Sequence, residues 1–195
     1  MKTYLANLRR HLTSLHRFSG RETVDQFWAW AGTVLAALFV GFSVAGPYVM
    51  GDWLAKVDQF ARENPQLATR SVGPGHYSVQ IKGYHPELMP DLEAFLILTT
   101  ILSAIVILLL AAALTRRLHD SGRSGLWGLL PLPFLLGGFW LMPQMFGSRG
   151  AAPDMQLFFL LFVNNVVYLA AIALLVFFTT KSGTPGPNRY GPPPA

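Results

Sequence analysis

The sequence of 195 residues contains no cysteine, and this excludes several kinds of chemistry together. Without thiols there is no disulfide framework, no cysteine nucleophile and no zinc or iron-sulfur site with cysteine ligands. Charged residues are also scarce, at 13% of the chain, which is about half the share that a soluble globular protein usually carries. Hydrophobic residues make up 52% of the chain. The composition therefore argues against a soluble enzyme.

Four long stretches lack Lys, Arg, Asp, Glu and His altogether. They cover residues 27–50, 94–114, 126–146 and 157–179. At about 1.5 Å rise per residue, each stretch is long enough as a helix to cross a hydrocarbon core of about 30 Å. A chain of this length lacks the protein surface to bury four such helices completely, which disfavours buried core helices. The sequence predicts an all-α membrane protein with four transmembrane helices.

The distribution of basic residues predicts the orientation of these spans. An even number of spans places both termini and the 115–125 loop on one side of the membrane, and that side carries 10 of the 15 Lys and Arg residues. Because cytoplasmic loops are enriched in Lys and Arg, we predict that both termini lie in the cytoplasm. Ser43 and Ala45 could form a cleavage site that would make the first span a signal peptide. The polar and apolar stretches before that site are too long for an ordinary signal peptide.

We predict three regions along the chain. A cytoplasmic amphipathic leader covers residues 1–26, the transmembrane domain covers 27–179, and a flexible Gly/Pro-rich cytoplasmic tail covers 180–195. Within the transmembrane domain, residues 51–93 form the only sizeable outer segment. The tail cannot form a helix or a strand, so it is either disordered or an extended peptide with Tyr190 as an anchor.

The leader has the pattern of an amphipathic cationic helix. Tyr4, Leu5, Leu8, Leu12 and Leu15 recur at spacings of three and four, with basic residues among them. Two locations of this helix fit the pattern. The helix either lies on the inner leaflet, held by apolar burial and by attraction to anionic lipids, or it docks on the protein's own loops.

The outer segment contains two short apolar patterns. The first pattern has apolar residues at helical spacing and ends before Pro65; its residues are Trp53, Leu54, Val57, Phe60 and Ala61. The second pattern has apolar residues that alternate as in a strand or hairpin arm; its residues are Tyr77, Val79 and Ile81. His76 and His85 have no carboxylate at ligand spacing between them, so we expect no metal site. We expect this segment to form a cap over the bundle.

The inner loop at 116–125 reads RRLHDSGRSG and holds most of the polar chemistry. In one interpretation, Arg116, Arg117 and Arg123 bind a phosphate or a lipid headgroup, helped by backbone donors at a helix start. In the other, the charges pair internally, and Asp120 accepts hydrogen bonds from Arg21 or Arg117 or caps a helix that begins near Ser124.

Catalysis has less support in the sequence. His119 and Asp120 are neighbours along the chain, and no nucleophile is evident beyond Ser121 and Ser124. An enzyme of this kind would act on a phosphorylated lipid, with the three arginines of the loop as a phosphate clamp and His119 as acid or base. We assign no catalytic residue and expect no cofactor.

The membrane interior contains no ionisable group, so a proton relay or a charged ion pathway has no residues to use. The polar residues at depth include Asn164 and Asn165 in the fourth span, which we expect to hydrogen-bond a neighbouring helix. Two prolines and the pair Gly137-Gly138 should kink the third span. A small channel or transporter of a neutral or hydrophobic solute would use this kink and the asparagine pair.

Three groups of residues carry a family resemblance. They are Phe18-Ser19-Gly20-Arg21 followed by Phe27-Trp28, then Arg116-Arg117-Leu118-His119-Asp120-Ser121-Gly122-Arg123-Ser124-Gly125-Leu126-Trp127, and then Gly183-Thr184-Pro185-Gly186-Pro187-Asn188-Arg189-Tyr190-Gly191. Together they resemble domain-of-unknown-function family 805, small bacterial inner-membrane proteins. The resemblance implies a multi-span helical protein of the bacterial cytoplasmic membrane and implies no reaction. Val24 stands where the family usually has a second arginine, which implies a smaller cationic cluster.

All three groups fall on the predicted cytoplasmic side, although more than 50 residues separate each from the next. We therefore predict that Arg21, Asp120 and the turn at 188–190 pack around the 116–125 loop in one inner-face assembly. Its candidate residues, for assembly and for binding of an anion or headgroup, are Arg21, Arg116, Arg117, His119, Asp120, Arg123, Asn188, Arg189 and Tyr190.

The function predicted from the sequence is that of a non-enzymatic inner-membrane protein. Its basic cytoplasmic face contacts anionic lipid headgroups or a protein partner, and no contact with nucleic acid is expected. The channel or transporter and the membrane-surface enzyme remain the alternatives.

Overall fold

The computed structural model describes residues 2–83, 85–89, 92–145 and 154–194, and it is mostly helical. The helices are α1 (Lys2–Thr13), α2 (Val24–Glu63), α3 (Leu92–Asp120), α4 (Leu132–Met145) and α5 (Met155–Thr180). The strands are β1 (Ala68–Gly73) and β2 (His76–Ile81), and short 3₁₀ helices lie at Pro86–Leu88 and Gly125–Leu129.

Four helical segments among the described residues are long and apolar enough to cross a membrane. They are α2, α3, the segment Gly125–Met145 and α5, which confirms the prediction of four such helices. Large apolar side chains on their outer faces are exposed, such as Phe39 at 73% and Leu108 at 70%. In a protein of this composition, that surface is suited to contact with lipid.

Helix α2 is much longer than the predicted first span. Thr23 caps its start, accepting a hydrogen bond from the backbone N–H of Gln26, whose side chain accepts one from the Thr23 N–H in return. The helix then runs for 40 residues, or roughly 60 Å, about twice the thickness of a hydrocarbon core. The short helix predicted in the outer segment is therefore the far end of α2, because nothing between Pro47 and Pro65 stops the helix.

The outer segment also contains an antiparallel β-hairpin, so the fold is not strictly all-α. Asp58 near the end of α2 anchors this hairpin, because it accepts a hydrogen bond of 2.8 Å from the Tyr77 hydroxyl and forms an ion pair with Arg70 Nε at 2.8 Å. Beyond the hairpin, the hydrogen bond that His85 Nδ1 makes to the Glu87 carboxylate raises the pKa of the His85 imidazole. In the outer loop predicted at 147–156, residues up to 153 lie outside the described part of the chain.

The long helices associate as two neighbouring pairs, α2 with α3 and α4 with α5. Between α2 and α3, the Trp30 indole donates a hydrogen bond of 3.0 Å to the Leu109 carbonyl, in a buried apolar cluster. Between α4 and α5, the Asn164 amide donates to the Phe134 carbonyl at 2.8 Å. Gly137 permits this approach, since a Cβ there would lie 2.8 Å from Asn164 Oδ1. The geometry gives Asn164 a packing role.

Candidate functional site

A buried group of charged residues lies at one end of the bundle. We call it the inner cluster, and its members are at most 9% exposed. They are His11 of α1, Arg21 and Glu22 just before α2, and Arg116, Arg117 and Asp120 in the last turns of α3. Ionisable side chains are rarely buried to this degree unless they are paired, so their partners define what the cluster does.

Asp120 accepts hydrogen bonds from two arginines. Arg21 Nε donates to Asp120 Oδ1 at 3.0 Å, and Arg21 Nη2 lies 2.9 Å from the same oxygen. Arg117 Nη1 donates at 2.6 Å from three residues earlier on the same helix face. Asp120 thereby connects the segment before α2 to the end of α3.

Arg117 also completes the end of α5. Its side chain is fully buried, and its Nε donates to the Thr179 carbonyl at 2.9 Å while Nη2 donates to the Lys181 carbonyl. The last carbonyls of a helix have no partners within the helix, and the helix dipole makes this end negative. A guanidinium placed here supplies hydrogen-bond donors to those carbonyls and a positive charge next to the negative end of the helix. The same group reaches the Glu22 carbonyl at 3.4 Å, so Arg117 contacts the ends of three helical segments.

Glu22 is the second buried carboxylate, with 0% exposure. It accepts from His11 Nε2 at 2.5 Å and from Arg116 Nε at 2.9 Å. The other ring nitrogen of His11 faces the Asn7 carbonyl at 2.9 Å, and the ring stacks on Trp30. These contacts dock α1 against the start of α2.

The tail is ordered by contacts with the inner cluster and with the end of α3. Arg21 donates to the carbonyls of Thr184 and Gly186, both at 2.6 Å. The Asn188 amide donates to the His119 carbonyl at 3.0 Å, and the Tyr190 ring stacks on the His119 ring with centroids 3.7 Å apart. Tyr190 anchors the tail on His119, as in one of the two forms that the sequence left open, but the chain turns back on itself between Asn188 and Gly191 and is not extended there.

The structure therefore brings together most of the residues proposed from the sequence. Arg123 and Arg189 lie at the margin of the assembly. The Arg123 guanidinium sits 4.3 Å from the centre of the Phe178 ring, and exposed Arg189 makes a long contact of 3.4 Å with the Gly122 carbonyl. Val24, at the departure from the family pattern, begins α2 and contributes no charge.

One sequence comparison matches a range of the chain that encloses all three motif segments. The profile described as protein of unknown function (DUF805) matches residues 15–192. The chain belongs to the DUF805 family. Inner membrane protein YhaH of Escherichia coli strain K12 and that of strain O157:H7 are each 33% identical to it over 98 residues. These matches cover 50% of this chain and 53% of each relative, so the chain spans about half the length of the curated relatives it matches. No solved structure matches it.

The inner cluster of this DUF805 protein favours internal pairing over an anion clamp. The guanidinium groups of Arg21, Arg116 and Arg117 all donate to carboxylates or backbone carbonyls of the protein itself. Among the described residues, no buried side-chain polar atom lacks a hydrogen-bond partner. A phosphate at Arg116 or Arg117 would have to displace these bonds. Within that same part of the chain, no group of three His, Asp or Glu side chains could hold a metal ion.

An acid or base role for His119 would need a ring that is open to a substrate. The ring is partly buried, one of its faces stacks on Tyr190, and Nδ1 lies 3.3 Å from the Gly20 carbonyl. In this DUF805 chain, His119 is placed to hold the tail and the first motif against α3.

Sequence reasoning did not identify His11 and Glu22 as site residues. Glu22 lies inside the matched DUF805 region, and His11 lies before it. Two signals point to them. Glu22 is one of only three acidic residues on the predicted cytoplasmic side, and His11 lies three residues after Leu8 and four before Leu15, on the apolar face of α1.

Proposed function

We propose that this DUF805 protein crosses the inner membrane four times with both termini in the cytoplasm, and that its cytoplasmic face binds anionic lipid headgroups without catalysing a reaction. One observation carries the proposal. The buried arginines are committed to internal pairs, whereas exposed Arg9 of α1 has no ion-pair partner among the described residues and lies next to the exposed leucines Leu5 and Leu12.

The proposed orientation rests on charge and on the position of the inner cluster. Contacts of Arg21 with Asp120 and with Gly186 join three parts of the chain at one end of the bundle. The segments at that end carry twice as many Lys and Arg residues as those at the other end. The positive-inside rule assigns the basic end to the cytoplasm.

The absence of cysteine makes this orientation directly testable. We would introduce single cysteines at Ser19, Ser182 and Thr69, which are all exposed. A membrane-impermeant maleimide should label Thr69→Cys in intact spheroplasts, and it should label Ser19→Cys and Ser182→Cys only after lysis. Labelling of either of the latter two in intact spheroplasts would contradict the proposed orientation.

Binding of lipid headgroups is supported by the surface of α1. One face of α1 is docked through His11, while Leu5 and Leu12 are each 57% exposed. Arg9 and Arg10 are exposed on the same helix. Helices with an apolar flank beside basic residues lie in the headgroup region and are attracted to anionic lipids. The inner face thus has the chemistry of a lipid-binding surface.

This binding predicts a preference for lipid charge that depends on salt. The detergent-solubilised full chain should bind phosphatidylglycerol carrying an acyl-chain fluorophore at least fivefold more tightly than phosphatidylcholine carrying the same fluorophore. Because exposed charges are screened over about 10 Å at 0.1 M salt and about 3 Å at 1 M, the preference should shrink at high salt. Equal affinity for the two lipids at low salt would contradict the proposal and leave a protein partner as the occupant of this face.

A further inference from the structure

The orientation of α1 against α2 brings its first turns towards the membrane. As α1 proceeds from its first turn to its last, its side chains contact residues 33, 26 and then 22, which is the reverse order along α2 and the segment before it. The Tyr4 hydroxyl bonds the Thr33 hydroxyl at 2.6 Å, the Asn7 amide donates to the Gln26 carbonyl at 3.1 Å, and His11 bonds Glu22. The two helices are therefore antiparallel, and the N-terminal end of α1 lies furthest along α2.

The depth of that end follows from the position of Thr33. Thr33 lies six residues beyond Phe27, where the first uncharged stretch begins, which corresponds to about 9 Å along the helix. Interfacial helices typically lie about 5–10 Å into the boundary between headgroups and acyl chains. The first turns of α1 thus occupy the level at which phospholipid phosphates and the upper parts of acyl chains are found.

An open concavity of about 470 Å³ lies on the side of α1 that faces away from the docked surface. It is lined by Leu5, Ala6, Arg9, Arg10 and Thr13. Its walls therefore combine two guanidinium groups with small and apolar side chains from consecutive turns of one helix. We call this concavity the α1 groove.

The charge of the α1 groove is not neutralised by the protein. The Arg9 guanidinium makes no ion pair or hydrogen bond with any residue that the structure describes. Arg10 Nη2 lies 3.8 Å from Glu22 Oε1, but that carboxylate already pairs with His11 and Arg116. One carboxylate shared among three cationic or hydrogen-bonding partners leaves positive charge at the groove.

We infer that the α1 groove binds one anionic phospholipid from the inner leaflet, with Arg9 and Arg10 on the phosphate and an acyl chain beside Leu5. This assignment deepens the proposed function and rests on it. A lipid fits better than a soluble phosphate, because only a lipid would cover the exposed Leu5 side chain at this depth. Guanidinium groups bind phosphate oxygens through paired N–H donors.

The test compares two pairs of arginines on the same face of the full-length protein. Binding of acyl-labelled phosphatidylglycerol should weaken at least tenfold in Arg9→Ala/Arg10→Ala, and less than threefold in Arg17→Ala/Arg189→Ala, which removes the same charge elsewhere. Arg9→Ala alone should weaken binding about threefold or more, and its Tm should stay unchanged because its side chain has no partner in the described structure. Leu5→Ser/Leu12→Ser should weaken binding while the salt dependence is retained.

Each other outcome has a defined meaning. Equal losses in the two arginine pairs, with the preference for phosphatidylglycerol retained, would overturn the α1 groove and leave the proposed function standing. Loss of that preference in the unmodified protein would overturn both. Complete competition by 10 mM inorganic phosphate, with no effect of Leu5→Ser/Leu12→Ser, would assign the groove to a free phosphate and overturn its assignment to a lipid.

Discussion

Replacing Arg117 with alanine should strongly destabilise this protein, because Arg117 is fully buried near the end of α3. The change removes hydrogen bonds to the Thr179 and Lys181 carbonyls and leaves Asp120 with one partner in a buried site. Breaking a buried pair by removing one member typically costs about 3–5 kcal/mol. For a chain of this length, that corresponds to a fall in Tm on the order of 10 °C, measured as thermal unfolding in detergent.

Arg123→Ala is the matched control for this experiment. Arg123 lies three residues beyond the end of α3 and carries the same charge, but it is only partly buried and its main contact is the Phe178 ring. Such a cation–π contact is worth about 0.5–1 kcal/mol at an exposed site. If Arg117→Ala and Arg123→Ala shifted Tm equally, Arg117 would not be the structural centre that its contacts indicate.

Gly183→Ala should detach the tail from the bundle. A Cβ at residue 183 would lie 2.2 Å from Asp120 Oδ2 and less than 3 Å from both other carboxyl atoms. Asp120 cannot rotate away without losing Arg21 and Arg117, so the tail has to move instead. Overpacking of this kind typically costs about 1–3 kcal/mol. Trypsin cleavage after Arg189 should become at least tenfold faster than in the unmodified protein, as followed by mass spectrometry of the intact chain.

Gly32→Ala provides the comparison, because no atom lies within 4 Å of the position of its added Cβ. Alanine in a helix interior is more favourable than glycine by roughly 0.5–1 kcal/mol, so this variant should keep or slightly raise Tm. Its tail should be cleaved at the rate of the unmodified protein. A tail of Gly183→Ala that resisted trypsin equally well would show that the Asp120 contact is dispensable for docking.

The transmembrane helices and the meeting of the three motif segments could be predicted from the sequence. Absence of ionisable residues over about 20 positions has only a few physical explanations, and an even number of spans then fixes which loops share a side. That reasoning brought Arg21 and Asp120 to the same end without any knowledge of their contact.

The acceptors of the buried arginines could not be predicted in this way. Arg117 bonds the carbonyls of Thr179, Lys181 and Glu22, and every residue of a chain has a carbonyl, so no side-chain pattern marks these three. The docking of α1 was equally open, because its pattern of leucines fits a lipid surface and a protein surface alike. In the structure, the contact of His11 with Glu22 docks α1 on the protein, and the burial of Glu22 depends on tertiary structure.

The long separation of the cluster's partners along the chain imposes an order on biogenesis. Arg21 and Arg117 leave the ribosome before residues 179–186, which supply carbonyls that they bond, have been made. We expect the N–H groups of these two arginines to stay hydrated until then, so that the neighbouring ends of α2 and α3 remain at an aqueous boundary. We expect completion of the cluster to be a late step of maturation that fixes these helix ends in place.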